Sequence, residues 1–235
     1  MSLDFTKGAT RDITLVSTRD ITLVSFLLDE SGSMEAIKQD TIGGFNSYLR
    51  TLRNSENPNI LFSFAKFDSN GIRKVCSGEP IEKVQNLSIF SYNPGAATPL
   101  IDASMEIISA TEKLAAQHEG DKPKVIIVIQ TDGEENCSKK YSFSQLADKV
   151  KEKTEKGWAF KFIGAGIDAF KQAEQMGIAK ADSLSYGLHN SGVAFAAAAE
   201  STMRYVQTGN ATESAFTEKE RASVGEEELL KNIRK

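Results

Sequence analysis

The chain has 235 residues, 40% of them hydrophobic and 26% charged, a balance that suits one soluble α/β domain and excludes intrinsic disorder. Lys and Arg total 28 against 32 Asp and Glu, a net charge of −4 with no long basic run, so neither nucleic acid nor an anionic membrane surface is an expected partner. Cys76 and Cys137 are far apart and in no C-x-x-C spacing, which excludes a disulfide scaffold and leaves two reduced thiols as the expectation.

Met1 to Thr10 lacks the apolar core of a secretory signal, and no apolar run approaches the roughly 20 residues of a membrane helix, so the chain is expected in the cytoplasm. Residues 1–19 are expected to form an N-terminal extension. Within it Thr10 to Ser17 (TRDITLVS) repeats without change as Thr18 to Ser25. Because eight is even, both copies offer the same faces to one strand position. Only the second copy runs into Phe26-Leu27-Leu28-Asp29; seating the first would put Thr18-Arg19-Asp20 where apolar residues belong. The second copy is therefore expected in the strand. The spare copy is then free to dangle, to add to an open sheet edge, or to pair with a second molecule in self-association.

From residue 20 to 209 short apolar strands alternate with helical patterns, the sequence form of a doubly wound, mostly parallel sheet with helices on both faces. In chain order the predicted strands are Ile21 to Leu28, Ile60 to Phe67, Ile72 to Cys76, Lys124 to Gln130, Trp158 to Ile163 and a weaker Leu184 to Tyr186. Asn70-Gly71 between two apolar runs is a hairpin signal, so Ile72 to Cys76 is expected to return as an antiparallel edge strand. Helices are predicted over Met34 to Arg53, Pro99 to Gln117, Phe143 to Lys156, Asp168 to Met176 and Ser191 to Val206, with Gly209 as a stop for the last. The polar tail, residues 210–235, reads as a loosely attached extension with a short helix around Glu226 to Ile233.

Three segments carry candidate chemistry. The first strand ends in Asp29-Glu30-Ser31-Gly32-Ser33, a carboxylate and two hydroxyls at a strand-to-helix turn. Thr98 precedes Pro99 at the start of a helix, and Thr131-Asp132-Gly133 follows the strand Lys124 to Gln130. Each has a plainer reading: helix capping for Ser31, Ser33, Asp29 and Thr98, and an ordinary Asp-Gly turn for Asp132. Capping and metal binding are compatible. The conjunction points further, because a doubly wound sheet brings such strand ends to one edge, where ligands bind. Mg²⁺ wants six oxygens and takes one or two carboxylates, which Asp29 and Asp132 supply; hydroxyls of Ser31, Ser33 and Thr98 are neutral donors. Waters or an incoming Asp or Glu of a partner complete such a shell.

Asp29-x-Ser31-x-Ser33, Thr98-Pro99-Leu100 and Thr131-Asp132-Gly133, in this order and spacing, resemble the von Willebrand factor A (vWA) domain family and its metal-ion-dependent adhesion site. The resemblance covers about Ile21 to Gln207. It implies a Rossmann-like sheet with one antiparallel edge strand and a Mg²⁺ or Mn²⁺ ion held by Asp29, Ser31, Ser33 and Thr98, with Asp132 direct or through water. It also implies a protein partner bound through that ion, with no chemistry performed on it. The duplicated strand departs from the family pattern.

Other readings fit less of the chain. A Mg²⁺-dependent phosphatase with an aspartyl nucleophile, of the haloacid dehalogenase-like kind, wants a second acid where Ser31 stands. Gly164-Ala165-Gly166-Ile167-Asp168-Ala169 matches a G-x-G-x-x-A dinucleotide fingerprint but comes late in the chain, so its glycines are expected to serve a tight turn. There is no P-loop, and His118 and His189, both expected at the surface, accompany no nucleophile elbow. A structural assembly protein with a vestigial site is the remaining alternative.

Overall fold

The computed structural model describes residues 21–56, 59–118 and 122–233. The first copy of the duplicated segment therefore lies outside the described residues. Six strands form one sheet in the order β3-β2-β1-β4-β5-β6. They are β1 (Thr22–Asp29), β2 (Ile60–Asp68), β3 (Gly71–Pro80), β4 (Lys124–Thr131), β5 (Ala159–Ala165) and β6 (Ser183–Tyr186). All pairs are parallel except β2 with β3, the predicted hairpin. Its turn is closed by the Asn70 N–H donating to Asp68 Oδ1 at 2.7 Å, and Gly71 takes φ +127°. The edge strand runs on to Pro80, past the predicted Cys76, through a register irregularity opposite Phe62 and Phe64.

Helices cover both faces because successive strand residues point to opposite sides. Phe26 and Leu28 face α1 (Lys38–Arg53) and α5 (Ser191–Thr208), while Leu27 faces α2 (Leu100–Ala115), α3 (Phe143–Glu155) and α4 (Ala169–Gln175). Phe26 meets Phe45 and Tyr48 edge-on, with centroids 5.2 and 5.1 Å away, and stacks on Phe195 at 6.0 Å. A Cβ on Gly44 would stand 2.4 Å from the Phe195 ring, so the close approach of α1 and α5 needs that glycine. The stretch predicted as helix from Met34 begins as a 3₁₀ segment, Gly32–Ile37, before α1. Helix α5 stops at Gly209 with φ +67°, as its glycine foretold.

Residues 210–233 of the tail are not a loose extension. Helices α6 (Glu218–Ser223) and α7 (Glu226–Ile233) lie beside β6 and α5, and Phe216 and Val224 join the α1/α5 core. Glu226 Oε1 accepts the Ser185 N–H of the edge strand at 2.9 Å, while Arg204 pairs with Glu220 at 2.8 Å. Beneath the tail, the fully buried Lys161 side chain pairs with Asp182 and lies 5.7 Å from the Phe216 ring. Burial and the covering of an otherwise bare strand edge hold the segment, two contributions that an average over its polar composition conceals.

Candidate metal centre

Strand order reverses between β1 and β4, so their carboxyl ends emerge side by side. The register pairs Leu28 with Gln130, which sets Asp29 beside Thr131. Asp29 is completely buried; its Oδ1 accepts the Ser31 N–H at 2.7 Å and its Oδ2 accepts the Thr131 hydroxyl at 2.5 Å. From there the polar atoms continue outward. Ser31 Oγ lies 3.3 Å from Ser33 Oγ, and the Ser33 hydroxyl donates to Asp132 Oδ1 at 2.5 Å.

Thr98 approaches the cluster across Gly133. A Cβ added there would stand 3.2 Å from Thr98 Oγ1 and 3.6 Å from Ser33 Oγ, so the missing side chain leaves a small oxygen-lined cradle. Asp29, Ser31, Ser33 and Asp132 thus form one hydrogen-bonded group, and Thr98 borders the same hollow.

Capping does not use up these groups. Ser31 precedes the 3₁₀ segment without a side-chain capping bond, and the N-cap of α2 is Pro99, not Thr98. The first N–H groups of α2 are met from the loop after β4: Ile101 donates to Glu135 Oε2 at 2.8 Å and Asp102 to Ser138 Oγ at 3.0 Å. Asn136 fixes Thr98 directly, its Oδ1 accepting the Thr98 N–H at 2.9 Å.

Burial is the main reason the Asp29 carboxyl is pushed up to about 6, against hydrogen bonds from Thr131 and Ser31 that lower it; the Asp132 charge adds to the rise. Burial also raises Asp132. Two carboxylates raised by burial, with which no Lys or Arg side chain among the described residues pairs, are a good match for a hard cation. Among the described residues no three His, Cys, Asp or Glu side chains gather to hold a metal, so any ion here depends on hydroxyl and water oxygens beside the two acids.

Several residues that shape the cluster carried no role in the sequence reading. Thr131 binds Asp29, and its position at the end of β4 is the signal that pairing β1 with β4 would have exposed. The Tyr92 hydroxyl donates to the Asp29 carbonyl at 2.6 Å. Glu30, almost wholly buried, binds Lys66 at 2.9 Å, Arg73 at 2.6 Å and the Asn93 N–H at 2.5 Å, tying the loop before α2 to the end of β1. Lys66→Met removes one charged partner of Glu30 and leaves Arg73, so a loss of about 2 kcal/mol in urea denaturation is the expected outcome.

The dinucleotide-like glycines serve a turn. A Cβ on Gly164 would stand 2.7 Å from the Ile167 side chain, Gly166 takes φ +69°, and the Asp168 side chain occupies the start of α4 by accepting the Lys171 N–H. His189 is exposed and His118 half-buried. Cys76 and Cys137 are both free thiols, raised chiefly by burial. No helix among the described residues is long and apolar enough to cross a membrane.

No family model and no curated protein matches the sequence. Solved structures do match the fold. The vWF domain of the type V pili tip protein Mfa5 from Porphyromonas gingivalis superposes with a TM-score of 0.59 at 10% identity, covering 82% of this chain and 98% of that one. Proximal thread matrix protein 1 of the mussel byssus gives 0.57 at 13% identity; 77% of this chain covers 48% of it, so the chain spans about half of that protein. Manganese-loaded TRAP protein of Plasmodium vivax gives 0.53 at 18% identity over 74% of this chain and 71% of that one. At such identities the likeness concerns architecture, and with the strand order it establishes a vWA-like α/β fold for this chain.

Proposed function

We propose that the chain is a protein-binding module that depends on a divalent ion. Mg²⁺ or Mn²⁺ would be held by Asp29, Ser31, Ser33 and Thr98, with Asp132 direct or through water, in the manner of a metal-ion-dependent adhesion site. A partner's Asp or Glu would complete the shell. The observation that carries this reading is the hollow over Gly133, bordered by Thr98 and Ser33 and continuous with the two acids. Ser33 is exposed while Asp29 is buried, so an incoming carboxylate meets the ion from the solvent side. The vWA-like neighbours support an interaction role, and the manganese in the Plasmodium vivax structure supports the choice of ion. Bound there, the ion would supply positive charge for an anion and engage both carboxylates of the cluster as its ligands, and binding without turnover is the activity we propose.

Titration calorimetry tests it. Wild type is expected to bind Mg²⁺ and Mn²⁺, and Asp29→Ala to lose both. Gly133→Ala places a methyl group in the hollow, and no positive φ opposes the change. It should weaken the ion by about ten-fold or more, and because the methyl group would crowd Thr98 Oγ1 at 3.2 Å, a cost of about 1 kcal/mol to the metal-free protein accompanies the change. Wild type without an ion response, or Asp29-dependent phosphatase turnover, would refute the assignment.

A further inference from the structure

The loop that Tyr92 and Asn93 tie to Asp29 and Glu30 carries a pair of bare apolar side chains. Phe90 is 85% exposed, the most of any large apolar side chain among the described residues, and its neighbour Ile89 is 54% exposed. They crown a turn cross-linked by its own hydrogen bonds and tied to β2 by Lys66 Nζ, which donates to the Ser91 carbonyl at 2.5 Å. The Ser88 N–H donates to Ser91 Oγ at 2.8 Å, the Ser91 N–H to Ser88 O at 3.1 Å, and Asn93 Nδ2 to Phe90 O at 3.2 Å.

Both feet of the turn are fastened. Before it, Leu87 exchanges two backbone hydrogen bonds with the Asn46 side chain on α1, at 2.8 and 2.9 Å. After it, Tyr92 is buried with its hydroxyl on the Asp29 carbonyl, and Glu30 holds the Asn93 N–H. The two residues that fix the turn on this side are thus the first two of the Asp29-to-Ser33 motif. From Leu87 to Thr98 the loop carries no charged side chain, although 26% of the chain is charged. Nothing on it repels a carboxylate.

A fixed apolar tip gives up little conformational freedom when covered, which is the property of an interface anchor. We propose that Ile89 and Phe90 anchor the partner, a protein segment carrying an acidic side chain with large apolar side chains beside it: the carboxylate meets the ion while the apolar groups cover Phe90. The acidic half of this rests on the metal reading above; the apolar half does not.

Panning a random displayed-peptide library against the full chain in Mg²⁺ tests both halves. Selected peptides should combine Asp or Glu with Phe, Trp, Leu or Ile. Their affinity should fall about ten-fold with Phe90→Ser, and comparably in chelator. Because Phe90 is exposed, Phe90→Ser should melt as wild type does, which separates lost contact from lost fold. Binding that falls with Phe90→Ser yet ignores chelator upholds the anchor and removes the metal reading. Binding that falls in chelator yet ignores Phe90→Ser overturns the anchor and leaves the ion in place, and a library yielding no binder overturns it too.

Discussion

Phe216→Ala is expected to lower the stability of the whole domain by about 3 kcal/mol, a melting-temperature drop of roughly 6–12 °C for a chain of this size. Phe216 is 5% exposed and belongs to the core that α1 and α5 close. Its ring also covers the Lys161 ammonium, whose burial already lowers that group's proton affinity. Removing the ring therefore opens a cavity and uncovers a buried charge together. The Phe216 N–H donates to the Ala181 carbonyl at 2.9 Å, a bond that alanine keeps, so it is the lost packing of the ring that loosens the strap over the turn before β6. Limited proteolysis should then cut between Gly209 and Thr217 faster than in wild type. A shift under about 1 °C would mean that residues 210–233 contribute nothing to the fold.

That segment shows where sequence reading runs out. Among the described residues of this charged stretch, Phe216, Val224 and Leu230 are the buried apolar ones, placed before α6, at its C-cap and in α7, so no 3.6-residue stripe forms. The central strands had the opposite property: Leu23 to Leu28, interrupted only by Ser25, and Val125 to Ile129 are buried on both faces and read as apolar runs. The candidate centre falls between these cases. Asp29, Ser31, Ser33, Thr98 and Asp132 were legible because each stands at a strand end or helix start. Thr131, Glu30, Tyr92 and Gly133 were not, because what they do depends on which distant segment folds against them. Tyr92 finds the Asp29 carbonyl across 63 positions of sequence. Even the failure of the capping reading for Thr98 is long-range, since Glu135 and Ser138 take over the start of α2.

Asp29→Asn is expected to make the metal-free protein more stable at neutral pH while abolishing its response to Mg²⁺. The amide can keep the existing bonds. Its oxygen accepts the Ser31 N–H, its nitrogen donates to Thr131 Oγ1, and the Thr131 hydroxyl turns to the Gly133 carbonyl, already 3.1 Å away. What disappears is a buried negative charge. A carboxyl raised from 3.8 to about 6 by folding contributes stability that is fully present below 3.8 and is lost as pH rises through about 6. At pH 7.5 the ionised group therefore costs about 2–3 kcal/mol, and the amide should recover roughly 2 of it. Wild type without metal should accordingly gain about 1–2 kcal/mol between about pH 7.5 and pH 5, and Asp29→Asn much less. Carboxylates such as Glu220, which the Arg204 bonds hold low against the effect of burial, stay ionised across that window and do not mask the trend. Saturating Mg²⁺ should reverse the wild-type profile, because the ion needs the ionised form and protons compete with it. Calorimetric melting of both proteins, with the ion and with chelator, reads all four conditions. An Asp29→Asn variant that is less stable than wild type in chelator, or that still gains stability from Mg²⁺, would show that the charge of Asp29 serves the fold and not an ion.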